Sequence, residues 1–246
     1  MNRVYIVCLL MALLLSSCSG KKEGNTIISG VISDASGQKL ELQELGLENS
    51  TTIDSVILDN EVKFSFTVKV NETGLYLLRL PKLPPLILEL RPGDSITLSG
   101  SKKSFPADVI IAGSPASCDL LTFFNASALN KSRFDSIENI LIAHQDDPDF
   151  AAFTLKLDES LKPLWDRQRA LETNYIDSHP ASLTSLLVLN HALRLSPVLS
   201  FSEDSLYYLR LDSSLSQAFP GNKHTVYHHK HIIQARELKQ LKEGSR

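Results

Sequence analysis

The stretch Glu61-Val62-Lys63-Phe64-Ser65-Phe66-Thr67-Val68-Lys69-Val70 puts an apolar side chain at every second position from Val62 to Val70. Lys63, Ser65, Thr67 and Lys69 fill the places between. Successive side chains of a strand point to opposite faces, so this alternation predicts a strand with one face in a core and the other in water. Working outward, similar short runs occur at Thr26–Ser33, Leu40–Leu45, Thr51–Leu58, Leu75–Leu80, Leu86–Leu90 and Ser95–Ser99. Turn-forming residues separate them, at Asp34-Ala35-Ser36-Gly37, Asp59-Asn60, Asn71-Glu72-Thr73-Gly74 and Arg91-Pro92-Gly93-Asp94. Short strands at this spacing predict an antiparallel β-sandwich or barrel over residues 26–112. Parallel neighbours are not expected, because the segments between the runs are too short for helical crossovers.

Beyond Gly113 the period changes. Ser114-Pro115 reads as an N-cap followed by proline at the first helical position. Leu120, Phe123 and Phe124, then Phe134, Ile137 and Leu141, follow at helical spacing. A long segment from Asp149 to Tyr175 contains Pro163, which is expected to kink or split it. His179-Pro180 opens another helix with Leu183, Leu186, Leu187 and Leu193 on its apolar side. Ser202 caps a further one carrying Tyr208, Leu211 and Leu215, and His224 to Lys242 forms a last, mostly polar helix. The expected class is therefore α+β: an N-terminal β domain, then an α-helical region over residues 113–246.

The chain begins Met1-Asn2-Arg3, continues with an apolar run from Val4 to Leu15, and reaches Ser16-Ser17-Cys18. A short basic start, an apolar stretch and small residues before a cut make a secretory signal, residues 1–17. The apolar run is shorter than the roughly 20 residues a spanning helix needs. Leu15-Ser16-Ser17-Cys18 resembles the lipobox of bacterial lipoproteins, which implies acylation of Cys18 and anchoring to a membrane through that lipid. Residues 18–25 then form the lipidated cysteine and a polar tether. The tether lacks the acidic cluster of surface-exported Bacteroidetes lipoproteins, so the expected place is the outer membrane, facing the periplasm.

Removing the signal takes away Arg3 alone among charged residues, leaving 24 of the 25 basic residues against 28 acidic ones. That mildly acidic balance, with no basic stripe interleaved with aromatics, argues against a nucleic-acid partner. Of three cysteines, Cys8 leaves with the signal and Cys18 carries lipid, so Cys118 has no partner within the chain. No Cys-x-x-Cys occurs, and the chain cannot itself run dithiol exchange.

Ile28-Ser29-Gly30, Thr52-Ile53-Asp54-Ser55-Val56, Lys63-Phe64-Ser65-Phe66, Gly74-Leu75-Tyr76-Leu77-Leu78-Arg79 and Pro92-Gly93-Asp94-Ser95-Ile96 occur in an order that resembles the DUF4369 domain of Bacteroidetes lipoproteins. The resemblance covers roughly residues 26 to 125. In that family a helical segment follows, then a thioredoxin-like domain of the TlpA or AhpC/TSA kind. His179-Pro180-Ala181-Ser182-Leu183 and the stretch from Asp204 to Pro220 are similar to the helical segment. The thioredoxin-like part has no counterpart up to Arg246, so the resemblance implies an N-terminal accessory part without redox residues of its own. It also suggests docking to a separate thioredoxin-like protein.

Few residue groups suggest chemistry. Gly93-Asp94-Ser95-Ile96 imitates the nucleophile block of GDSL-type esterases, but the chain has no Asp-x-x-His to supply a base, and a turn feeding a strand explains it. His224, His228 and His231 fall at i, i+4 and i+7, which puts three imidazoles on one helix face as weak candidates for a metal; His229 lies beside them. Cys118, in the first turn of a predicted helix, is a candidate reactive thiol, although a small core residue is the favoured reading. Asp54-Ser55-Val56, Asp94-Ser95-Ile96, Asp135-Ser136-Ile137 and Asp204-Ser205-Leu206 resemble the O-glycosylation sequon of exported Bacteroidetes proteins. Ser136 and Ser205, expected early in helices, are the better candidates. Trp165, Tyr175, Tyr207 and Tyr208 are expected in the core or at an interface, with a ligand groove as the alternative. The functional expectation is a membrane-anchored binding or structural module with no catalytic residues and no cofactor. The alternative is the accessory half of a split thiol–disulfide oxidoreductase.

Overall fold

A computed structural model describes residues 24–193 and 196–244; the signal sequence, Cys18 and most of the tether lie outside the described residues. The first eight strands are β1 (Thr26–Ser33), β2 (Lys39–Leu45), β3 (Ser50–Ile57), β4 (Lys63–Val68), β5 (Gly74–Arg79), β6 (Leu86–Leu90), β7 (Ser95–Ser101) and β8 (Ile110–Ala112). They form two four-stranded sheets, ordered β4-β1-β7-β8 and β3-β2-β5-β6. Phe64, Phe66 and Val68 of β4 are buried and Lys63, Ser65 and Thr67 exposed, as the alternation predicts. Their buried face meets Ile28, Ile96 and Leu98 of the same sheet and Leu42, Leu78 and Leu88 of the other in one core, which makes the β domain a sandwich. Removing each such side chain from water contributes about 1.5–3 kcal/mol before chain entropy is set against it.

One pairing differs from expectation. β1 and β7 run parallel, with Ile28 beside Ile96 and Gly30 beside Leu98. The return path is not a helix. Between these strands the chain lays down β2 and β3 in the opposite sheet, β4 on the far side of β1, then β5 and β6, and only then returns. A sandwich thus supplies its own crossover through its second layer. The other ladders within the two sheets are antiparallel.

The second sheet is covered on both faces. Gly74, Leu75, Tyr76, Leu77 and Leu78 of β5 are all buried, where a half-exposed strand would alternate. Tyr76 and Leu78 point into the sandwich, while Leu75 joins a second core built largely from helices. The helices are α1 (Pro115–Ala143), α2 (Phe150–Ser178), α3 (Thr184–Leu189), α4 (Phe201–Ala218) and α5 (Lys223–Gly244), with a two-residue ladder of β9 (Ala192–Leu193) and β10 (Ser196–Pro197) before α4. Among the described residues no helix is long and apolar enough to cross a membrane.

The helix starts follow local chemistry. Ser114 caps α1, accepting the Ser117 amide, and Pro115 takes the first turn, where its missing N–H costs nothing. Pro163 does not divide α2, which runs through it as one helix. Pro163 and Glu159 both lie on the exposed side, so water can take the carbonyl that the proline leaves unpaired. The segment after His179-Pro180 is helical only from Thr184 to Leu189, and Leu193 falls in β9. The cap of α4 is Ser200 rather than Ser202, because the Asp204 carboxylate turns back to accept the Ser200 amide at 2.9 Å.

The joint between sandwich and helices centres on Glu89 of β6, 1% exposed. Its Oε2 accepts the Ser182 hydroxyl at 2.6 Å and the Leu183 amide at 2.9 Å, and its Oε1 meets Arg91 at 3.0 Å. Its own amide donates to the Ser117 hydroxyl and its carbonyl accepts from Ser114. A charged group is tolerated there because each polar atom is met.

Candidate functional site

A half-open cavity of about 560 Å³ lies between the sandwich and the helices. Leu45 and Leu47 at the end of β2 and Leu75 of β5 form its floor on the sandwich side. Leu186 and Leu187 of α3, with Phe201 and Tyr208 of α4, add apolar walls. The remaining wall is α5, which contributes His224, Tyr227, His228, His231 and Ile232. No Asp, Glu, Lys or Arg lines the cavity among the described residues.

The start of α5 is pinned to the sandwich by the residues that open it. Gly221, at φ 83°, makes the turn that only glycine adopts freely. Asn222 then accepts the His224 amide as a cap and donates from its side chain to the Thr73 carbonyl at 2.7 Å. Lys223 forms a short ion pair with Glu44 of β2. These contacts hold the first turn of α5, with His224 in it, against the sheet. His224 is 8% exposed, and its Nε2 has no hydrogen-bond partner among the described residues. Burial, helped by the neighbouring Lys223 charge, lowers the pKa of His224, and the Leu45 carbonyl and Glu44 oppose this only in part. Burial likewise lowers that of His228, against the opposing Tyr208 carbonyl and Asp212. Both rings are therefore neutral at pH 7.

His224, His228 and His231 do share one face, as their spacing predicts. They are not equivalent, however: His224 and His228 are buried, His228 Nε2 sits 3.4 Å from the Tyr208 carbonyl, and His231 is exposed with its ring against Tyr227. His229 points away, toward Asp212 of α4 at 2.9 Å. Among the described residues no group of three or more His, Cys, Asp or Glu side chains is placed to hold a metal ion.

The other sequence candidates are dispersed. Cys118 is exposed in the first turn of α1, which corrects the expectation of a core residue: it lies on the face opposite Ser117 and Leu120, which the sheet covers. Gly93-Asp94-Ser95 forms a turn, with Gly93 at φ 78°, Asp94 Oδ2 accepting the Arg91 amide and β7 starting at Ser95. Ser136 is exposed but late in α1, not early, and its hydroxyl donates to the Ser132 carbonyl. Ser205 is half-buried beside Asp204, whose carboxylate is held by Arg169 of α2 in a short ion pair. Burial raises the Asp204 pKa, but the Arg169 and Ser200 hydrogen bonds outweigh it and leave the group below its ordinary value. Trp165 packs edge-on to Phe134, Tyr175 is buried with its hydroxyl 2.8 Å from that of Thr184, and Tyr207 is half-buried; of these aromatics only Tyr208 lines the cavity.

The sequence reading missed a row of buried polar residues between α1, α2 and the end of α3. Ser127 Oγ lies 3.3 Å from His191 Nε2, and His191 Nδ1 lies 2.8 Å from Glu172 Oε1. Gln168 donates to the same carboxylate oxygen at 3.1 Å, and Asn130 donates to Gln168. The order hydroxyl, imidazole, carboxylate is that of a nucleophile with its base. Ser127, however, is 3% exposed in the interior of α1, where backbone amides are used within the helix, so no N–H faces it to stabilise an oxyanion. The row ties helices together. Its signal was present on α2, where Gln168 and Glu172 share the inward face with Tyr175 and Ile176.

The geometry defines an α+β protein with a sandwich, a helical layer and a cavity between them. Comparison adds little to that. No family model matches the chain, and no curated protein matches it. Among solved structures, a 9R-lipoxygenase from Cyanothece PCC8801 aligns at 13% identity with a TM-score of 0.21, over 53% of this chain and 26% of the lipoxygenase, a likeness too slight to bear on fold or function.

Proposed function

We propose that the chain is a non-catalytic lipoprotein of the bacterial envelope, anchored through acylated Cys18 and facing the periplasm from the outer membrane, whose folded part is a binding module of the DUF4369 type. The observation that carries the binding part is the cavity at the joint, lined from both the sandwich and the helices and free of charged side chains among the described residues. Cavities of this size, with apolar walls and a few polar groups, are where proteins take small molecules. Metabolic labelling of the full chain with an alkyne fatty acid tests the anchor. Label is expected on the wild type and none on Cys18→Ser; an unlabelled wild type overturns the lipoprotein reading.

A second reading, the accessory half of a split thiol–disulfide system that docks a thioredoxin-like protein, draws on the exposed thiol of Cys118. Non-reducing capture from the envelope, with the wild type and Cys118→Ser side by side, separates the two. A thioredoxin-like protein recovered with the wild type and lost with the variant supports docking through the thiol. Recovery of the same proteins with both removes thiol chemistry from the account.

A further inference from the structure

We infer that a second hollow, where β2 begins and β5 ends, binds a small phosphate monoester, its dianion held by Arg79 and Lys82 with Lys39 at its side. This goes beyond the binding-module reading and does not depend on it. The cavity lies at the other end of β2, with Leu45 about 20 Å from Lys39 along the strand.

The first ground is placement. Lys39 and Glu41 alternate on β2 with Leu40 and Leu42, which belong to the sandwich core, so both project from the outer face of the second sheet. Arg79 stands directly across from Glu41 and is exposed, so it shares that face. The turn Leu80-Pro81-Lys82-Leu83 follows at once, closed by the Leu83 amide on the Leu80 carbonyl at 3.3 Å. Together they surround a half-open hollow of about 440 Å³.

The second ground is charge. Three cations, Lys39, Arg79 and Lys82, line the hollow against one carboxylate, an excess of two positive charges in a chain whose net charge is −3. Glu41 is already engaged. Its Oε1 takes Lys39 Nζ at 2.6 Å and its Oε2 the Gln43 side-chain amide at 3.0 Å, and the Lys39 contact holds its pKa below the ordinary value. Glu41 thereby steadies Lys39, whose ammonium keeps further donors free. Arg79 acts on that carboxylate only at longer range, and neither Arg79 nor Lys82 has an ion-pair partner among the described residues.

The third ground is conformation. Lys82 sits at φ 63°, the second central place of a turn in which Pro81 suits the first and glycine the second. A lysine in that strained place sets a charge at the hollow, and strain of this kind gathers at ligand clamps. A phosphate monoester carries two charges and three acceptor oxygens on one centre, which a guanidinium fork and ammonium groups meet together; a dicarboxylate spreads its charges apart. Leu80 and Leu83 line the same hollow and Ile57, across from Lys39, is exposed, so the ester carries an apolar group.

The test titrates phenyl phosphate, phenyl sulfate and succinate at low salt against the full chain carrying Cys18→Ser, followed by NMR. Phenyl phosphate is expected to bind saturably and shift the Lys82 and Leu83 amide signals and the Arg79 side-chain signal. Phenyl sulfate, with one charge fewer, should bind about fivefold more weakly, the size of one exposed charge contact, and succinate should also bind more weakly. Lys82→Gly suits the turn and should keep the urea midpoint at or above that of the wild type, yet lose about fivefold in affinity for phenyl phosphate. Arg79→Gln should lose as much, and Lys131→Gln, on α1, nothing. Tightest binding by succinate, an equal loss in Lys131→Gln, wild-type affinity in both site variants, or no saturable shift with phenyl phosphate would overturn the inference. Each of these results leaves the cavity and the lipid anchor to their own experiments.

Discussion

Glu89 Oε2 accepts the Ser182 hydroxyl at 2.6 Å, so a carboxylate on the outer face of the sandwich holds the entrance to the helical layer. Glu89→Ala leaves the Leu183 amide buried without an acceptor and the Ser182 hydroxyl with only the Thr184 hydroxyl at 2.7 Å to bond to, and should cost about 3 kcal/mol in urea unfolding. Glu89→Gln keeps one acceptor oxygen and should lose less. Equal loss in the two variants would mean that shape, not hydrogen bonding, sets the contribution.

His191 is the second junction. Replacing it with Leu leaves the fully buried Glu172 carboxylate with only the Gln168 amide on Oε1, its other oxygen, Oε2, already lacking a partner among the described residues. A loss of about 3–5 kcal/mol is expected. The double variant His191→Leu, Glu172→Leu should recover part of it, because no unpaired charge then remains. Failure of the double variant to recover stability would show that packing against Phe123 and Phe124 dominates.

Stability should fall as pH drops below about 6.5. His224 and His228 have folded-state pKa values lowered from 6.5, chiefly by burial, so between the folded and unfolded values the unfolded chain binds more protons. Their contribution is complete above about pH 6.5 and is lost as pH falls through the window beneath it. Asp204 acts lower: its folded pKa lies below 3.8, and its share is lost only as pH falls through that lowered value. Urea midpoints at about pH 7.5 and pH 5.5 should differ in the wild type and differ much less in His224→Phe, His228→Phe. A wild type with equal midpoints would contradict neutral burial of these rings.

Gly30 is required by the parallel pair. A methyl group there would sit 2.0 Å from the Leu98 carbonyl oxygen, a backbone atom that cannot step aside. Gly30→Ala should destabilise by about 3 kcal/mol or prevent folding, whereas Gly37→Ala, whose added carbon meets nothing within 4 Å, should lose less through its positive φ alone. The measurement is again the urea midpoint of each variant.

Much of the fold was legible because it is written in local periods. The alternation around Phe64 and Phe66, and the Ser114-Pro115 start, each describe the structure within a residue or two. Features set by the third layer were not. The run Leu75-Tyr76-Leu77-Leu78 has no alternation because helices cover the outer face of β5, and a continuous apolar run of that length is the sign of such double burial. The parallel neighbours β1 and β7 were excluded by a rule about single sheets that a sandwich evades. Cys118 was placed inward on its residue type, although its exposure depends on which side of α1 the sheet covers. The cavity was half visible: the spacing of His224 and His228 showed a shared face, but nothing local told that this face would close over Leu45 and Leu75. The row from Ser127 to Glu172 joins residues far apart in the chain, and only the packing of α1 on α2 brings them together.

The placement of β1 between β4 and β7 has a consequence for how the chain reaches its native form. Ser33 accompanies Ser101, so the strand that emerges first has one flank open until more than a quarter of the protein has followed it. Until β7 arrives, the β1–β4 pair presents an unpaired row of amides and carbonyls, the kind of border that adheres to other strands. Assembly of the first sheet is thus a late, long-range event, and fragments ending before Ser95 should be the ones that aggregate.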